Sequence, residues 1–335
     1  MILGIQVFSQ EDHLDLELLQ ATNIEQITIF GSYEPNGQLA FNHEGTLLAT
    51  IDPLDSEPIV LWNPYEPFRG SLAYFEIEIL DPYSISFTPD DNFLAVGGMD
   101  GEIVIWDIEA SRINQVVRGP NDYRVDNITF NEFNEQFVAS YDGVGFFMLI
   151  WDEFDDTIPI SYPVTRGAFA LSALNPNLIA TSRDQYVTFY NSEIDIFYAG
   201  ARVHDRTFHT ISFSDVRQQL LTSDAHNIRL WDLWELMPQE LPDEILVVEN
   251  PTPFLDIEIL DTQLFEVDVI WRFNLIIAAT LDKQLLFFDL QTGELLHTLE
   301  VDSFIRYIEV SPRGDIIAVS MAVGGTTLLG IPVEQ

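Results

Sequence analysis

"FLAVGGMDGEIVIWDIEASR", residues 93–112, holds two short apolar runs on either side of Asp100-Gly101, and the second run ends in Trp106-Asp107. Two runs of strand length around an Asp-Gly turn are the local signature of an antiparallel hairpin. The same ending recurs along the chain as "IVLWNP" (59–64), "MLIWDE" (148–153), "VTFYNS" (187–192), "IRLWDL" (228–233) and "LLFFDL" (285–290). A degenerate seventh, "TLLGIP" (327–332), puts Gly330 in the aromatic slot. The slots are Trp62, Trp106, Trp151, Tyr190, Trp231 and Phe288, spaced by 44, 45, 39, 41 and 57 residues, with Gly330 following 42 later.

Each unit carries the same sentence upstream. A run ending in a turn ("ISFTPDD", "ITFNEFN", "IEVSPRG") precedes a second apolar run ("FLAVGG", "QFVASY", "DIIAVS"). A fourth strand shows in "GELLHTLEV" (293–301). Four short strands repeated seven times predict one twisted sheet per repeat. Such a sheet cannot bury both faces alone. Stacking the sheets radially does so, and a large aromatic on the third strand fills the gap between neighbours. The Asp or Asn after it suits the turn to the outer strand.

On these motifs the chain resembles the tryptophan–aspartate (WD) repeat family over about residues 24 to 335. The resemblance implies an all-β, seven-bladed β-propeller with four-stranded antiparallel blades. Only Trp106-Asp107, Trp151-Asp152 and Trp231-Asp232 keep the literal pair, and the family's Gly-His pair is missing throughout. His204 lies nine residues before Phe213, the family spacing for its histidine. By resemblance, His204, Ser223 and Trp231 form a structural hydrogen-bond network in blade 5, with the turn at Asp224 one residue short of completing it.

Little chain follows Gly330, so an outer strand for the last blade has to come from elsewhere. The unassigned strand Ile27 to Phe30 is predicted to pair with Thr326 to Ile331, closing the ring and removing a sheet edge. This divides the chain into an appendage, residues 1–22, and a propeller, residues 23–335. An insertion at about 234–263 explains the wide fifth spacing, with "EILVVE" (244–249) as the outer strand of blade 5.

Composition narrows the function. Asp and Glu number 54 against 14 Lys plus Arg, and Lys283 is the only lysine. A net charge of −40 repels nucleic acid and anionic membranes. No apolar run is long enough to span a bilayer. The first residues lack the pattern of a signal peptide, which points to the cytoplasm, or to the exterior if a leader has been removed. Cysteine is absent, which removes disulfides and thiolate metal sites.

No phosphate loop, zinc motif or nucleophile elbow is present. The six histidines have no metal spacing, and "RGD" (313–315) reads as a plain turn. No catalytic residue, metal or cofactor is expected. Arg124, Arg166, Arg206 and Arg306 lie shortly before the inner strands of blades 3, 4, 5 and 7, where they would ring the channel mouth. There they would meet a partner's acidic or carboxylate groups, or pair with neighbours such as Asp126 and Asp205. Tyr123, Phe208 and Trp271 would add contact area near the same mouth. The resulting expectation is a non-catalytic scaffold for a protein or peptide partner. Its rivals are a lactonase- or hydrolase-type propeller enzyme with a channel metal, and a structural subunit of a homo-oligomer.

Overall fold

The structure, a computed structural model, describes residues 16–17, 24–30, 38–51, 58–75, 79, 81–120, 122–131, 133, 136–143, 146–152, 160–163, 168–238 and 240–332. The rest of the 1–22 appendage, and Arg166, lie outside them. Seven sheets, antiparallel but for one added strand, stand in a ring as the blades of a β-propeller. The innermost strands are, in order, Leu39–Phe41, Ser84–Phe87, Arg124–Phe130, Phe169–Leu171, Thr210–Phe213, Leu264–Ile270 and Ile305–Val310.

In blade 6 burial falls from the second strand to the outer one. Second strands such as Leu48–Ile51, Leu275–Thr280 and Ile316–Met321 are buried at every residue. A strand covered on both faces reads as one continuous apolar run rather than an alternation. The outer strand Leu295–Glu300 is exposed at most positions.

The hydrophobic core is divided into seven clusters, one for each seam between blades. Each seam holds the slot residue of the later blade: Trp62 against blade 7, Trp106 against blade 1, Trp151 against blade 2, Tyr190 against blade 3, Trp231 against blade 4 and Phe288 against blade 5. The aromatics therefore act as wedges, as at Phe75 and Trp106, whose rings sit 4.9 Å apart.

Blade 7 corrects the seventh slot. Leu329 faces Ile317 and joins the seam with blade 6, as Trp106 faces Leu94 in blade 2. Gly330 therefore takes the position of Asp107, one residue on, and its side of the pleat is the wrong one for a wedge.

The outer strand of blade 7 is Glu25–Phe30, antiparallel to Thr326–Pro332, with Glu25 opposite Gly330 and Phe30 opposite Thr326. Leu16 and Glu17 continue along the same strand, opposite Pro332 and Ile331. Polar contacts cross from blade 7 to blade 1. Tyr65 Oη donates to Asp315 at 2.9 Å, and Arg313 Nε donates to the Glu44 carbonyl at 2.9 Å. Gly314 between them has φ +72°, and a Cβ there would run into the Phe273 ring. The Arg-Gly-Asp turn is thus occupied by packing between blades.

The insertion differs from expectation. Leu246–Val248 is a fifth strand of blade 4, parallel to Ile196–Arg202, with Ala199 opposite Leu246. The outer strand of blade 5 is Leu255–Glu258, paired with Asn227–Asp232. A parallel neighbour needs a crossover. Here it runs through the three inner strands of blade 5 and then the helical turn Leu233–Leu236, capped by Asp232, whose side chain accepts from the Trp234 N–H at 3.1 Å. Leu233, Leu236 and Met237 pack into the seam between blades 4 and 5, so the excursion reaches back across it.

Candidate interaction face and central channel

The polar network of blade 5 is structural. Trp231 Nε1 donates to Thr222 Oγ1 at 2.9 Å, and His204 Nε2 stands 2.9 Å from the same hydroxyl. His204 Nδ1 lies 3.2 Å from Asp224 Oδ2. Asp224 also accepts from the backbone N–H groups of His226 and Asn227, both at 2.8 Å. Burial alone would raise the Asp224 carboxyl; His204 and these two N–H groups overcome it and hold the group down to about 2. The hydroxyl in the network belongs to Thr222 and not to Ser223. Leu220 is opposite Trp231, so Thr222, two residues on, shares its face, while Ser223 points to the other side. Phe208, expected to be a contact residue, is fully buried with its ring 5.3 Å from that of His204.

One face of the ring is made by the loops that lead into the innermost strands and by the turns between second and third strands. Arg124, Arg206, Arg306 and Tyr123 all lie on this face. Arg124 is committed there. It donates to Asp126 at 2.7 Å and Asp142 at 2.8 Å, and its guanidinium lies 4.0 Å over the Tyr83 ring. Arg206 is exposed, and Asp205 pairs instead with Arg202. Arg306 sits half-buried at a bulge of its strand. Trp271 is on the opposite face, buried in the turn after Leu264–Ile270, where its Nε1 donates to Ser212 Oγ at 3.3 Å. A seven-residue innermost strand carries the chain through the ring before Trp271 is reached.

The same face carries an apolar sector that the sequence reading missed. Leu260, Phe265, Leu281, Phe304 and Val323 are large and exposed. Hydrogen bonds tie their loops side by side: Leu281 N to Gln263 O, Val301 N to Lys283 O, and Ala322 N to Phe304 O. Lys283 lies 5.4 Å over the Phe304 ring. Asp261, Asp282 and Asp302 are exposed in the same loops.

A cavity of about 650 Å³ runs along the innermost strands of blades 1, 2, 3, 6 and 7. Alternation in the innermost strands of blades 6 and 7 turns their apolar residues into the seams and their acids inward. Val267 and Val269 are buried, while Glu266, Asp268 and Glu309 keep partial access to solvent yet are enclosed by protein. Burial, with the charges of Asp268 and Asp126, pushes Glu266 up to about 8. Burial raises Asp268 to about 6 against the backbone N–H groups of Val269 and Val310. Glu309 is raised well above the carboxylate range by burial, then by Asp268 and Glu266.

The profile of the WD domain, G-beta repeat, matches residues 80–107, which end on Trp106-Asp107 of blade 2. No curated protein matches the sequence. Among solved structures, the β-propeller domain of Cps50 (Swd1) from Myceliophteria thermophila superposes with a TM-score of 0.74 at 14% identity. The match covers 91% of this chain and 99% of that one. At that identity the likeness is one of fold.

Proposed function

We propose that this chain, a seven-bladed β-propeller built from WD repeats, is a non-catalytic scaffold that takes a protein or peptide partner on the face bearing the apolar sector. The carrying observation is the gathering of Leu260, Phe265, Leu281, Phe304 and Val323 into adjoining loops of one face. Exposed apolar side chains are ordinary when scattered; grouped and rimmed by polar residues, they mark interaction surfaces. The ring beneath is rigid because each blade is wedged on both sides, so the surface is preformed and little ordering opposes binding.

Charge selects the partner. Asp261, Asp282 and Asp302 rim the sector, and the whole chain carries −40. Arg124, the best placed receiver for a partner's carboxylate, is already shared by two aspartates. The favoured partner therefore presents apolar side chains flanked by lysine or arginine, and binding weakens with salt.

The test is affinity capture from native lysate with a Leu260→Glu/Phe304→Glu variant. A control variant, Val216→Glu, changes an exposed residue on the opposite face. Thermal melts establish that both variants fold. The double variant is expected to lose partners that the wild type and control retain; equal recovery by all three would overturn the proposal.

A further inference from the structure

The channel differs in chemistry from the face above it. Glu266 from blade 6 and Glu309 from blade 7 line the cavity together with Tyr307. Glu266 is enclosed by protein, and among the described residues its carboxyl has no hydrogen-bond partner; only burial and the charges of Asp268 and Asp126 act on it. A carboxyl enclosed by protein, without a hydrogen-bond partner among the described residues and open only to the cavity, is placed to meet a group that enters it.

The surrounding elements leave the negative potential uncancelled. The innermost strands of blades 1, 2, 4 and 5 contribute no charged residue. Blade 3 adds Asp126 and Arg124, which neutralise one another in part, with Asp142 as a second partner of Arg124. Tyr83 and Tyr307 meet edge to face at 6.4 Å beside that pair. His43 and Arg272 also line the cavity, but they lie 3.1 Å from Asp91 and Asp215. Arg306 precedes Tyr307 in the chain but does not line the cavity.

We infer that the central channel is a binding site for one organic cation, an ammonium or guanidinium group, held between Glu266 and Glu309. Asp268 and Asp126 supply further negative potential. A compact metal ion fits less well, because no three His, Asp or Glu groups among the described residues stand at metal-holding spacing. The cavity, about 650 Å³, is in the range that holds a small organic group. The inference does not depend on the apolar sector. Because Glu266 keeps its proton up to about 8, a cation that binds beside it must displace that proton. Its affinity then rises with pH, approaching about tenfold per unit for one proton released.

The experiment is isothermal titration of the full chain with n-butylammonium and n-butylguanidinium at pH 6, 7 and 8, in two buffers of different ionisation enthalpy. A blocked peptide with a single arginine forms a third arm. Saturable binding of at least one small cation, tighter at pH 8 than at pH 6 and accompanied by proton release, is expected. Glu266→Gln should lower affinity at pH 8 by about tenfold or more and reduce proton release, while Asp302→Asn, on the rim, should do neither. Tighter binding of the peptide identifies the source as a partner's side chain; equal or weaker binding identifies a free small cation. The inference is overturned if neither small cation binds at pH 8, if affinity is flat across the three pH values, or if Glu266→Gln binds like the wild type. Glu266→Gln removes a buried acid that no neighbour requires, so it should fold, and its melt is the check.

Discussion

Blade 5 and blade 7 do the same job with opposite means. Blade 5 is wedged by Trp231, whose indole N–H reaches Thr222, and Thr222 in turn meets His204 beside Asp224. Blade 7 is wedged by Leu329, which has no polar atom to place, and it borrows its outer strand from residues 25–30. One blade is reinforced from inside, the other by topology and by contacts such as Tyr65 to Asp315 across the closing seam. The ring thus requires bulk at every seam and a paired strand at every edge. The polar network is a local addition, present where the neighbouring residues allow it.

The largest expected effect tests topology. Removing residues 24–32 strips blade 7 of its outer strand and leaves Thr326–Pro332 as an open edge. In a ring where each blade contacts only its neighbours, an opened seam weakens both adjoining interfaces. The expected outcome is loss of the single cooperative transition in calorimetry. A deletion variant that melts within a few degrees of the intact chain would break the contrast between the two blades.

The two regions should also respond to pH in opposite directions. A free glutamate loses its proton near 4.3, whereas Glu266, beside blade 7, keeps its proton to about 8. Between those values the folded state binds the extra proton, so stability falls as pH rises, by an amount on the order of a few kcal/mol. Glu309 acts in the same direction. Asp224 in blade 5 is held down to about 2. Its contribution is present above about pH 4 and is lost as pH falls toward 2, at about 1 kcal/mol once solvent screening is allowed for. Urea midpoints in 0.5 M salt, which suppresses surface repulsion, should rise in Glu266→Gln at pH 8 and stay unchanged at pH 4. An equal change at both values would refute the assignment to the channel.

A smaller effect measures the network itself. Thr222→Val leaves the Trp231 N–H and His204 Nε2 without their shared hydroxyl, at a cost of about 1–3 kcal/mol. In blade 1, Trp62 donates to Thr50 at 3.0 Å, and the sequence leading into that blade's innermost strand, residues 31–38, holds no histidine. Thr50→Val should therefore cost less than Thr222→Val in the same denaturation assay. The reverse order would mean that the histidine contributes nothing.

The fold was legible because its signal is repetitive. Six aromatics in one recurring motif, five of them 39 to 45 residues apart, leave few alternatives to a ring of sheets, although the seventh slot lies one residue before Gly330. Single-residue slips are where such reading fails. The resemblance puts the network hydroxyl on Ser223 and alignment of the apolar runs puts the last slot on Gly330, and in a strand one step reverses the face. The channel acids were missed for a different reason. In "LFEVDVI" and "IRYIEV" an acid alternates with an apolar residue, which normally means a solvent face. On an innermost strand that face is the channel, and the signal was available once those strands had been assigned. Arg124, Arg206 and Arg306 stand on one face of the ring, but their partners depend on distances across strands that no spacing reveals. The apolar sector joins loops from blades 5, 6 and 7, and neighbourhood of that kind has no sequence period.

The smallest expected effect carries the comparison to a third blade. Trp106 in blade 2 sits in the same slot as Trp231, yet its Nε1 is buried without a partner among the described residues. Leu94 is opposite Trp106, so Val96 takes the position that Thr222 takes in blade 5. Val319 takes it in blade 7, two residues beyond Ile317, the partner of Leu329. Both valines are fully buried. Replacing a buried valine by threonine normally costs about 1–3 kcal/mol, because the hydroxyl leaves water for a site with nothing to bond. In Val96→Thr the new oxygen meets an indole N–H that lacks an acceptor, so the loss should shrink to within about 1 kcal/mol. In Val319→Thr the wedge is leucine, nothing offsets the burial, and the full loss should appear. Equal urea midpoints for the two variants would show that the blade 2 indole is turned away from that site, and that the network needs more than a hydroxyl two residues from the wedge's partner.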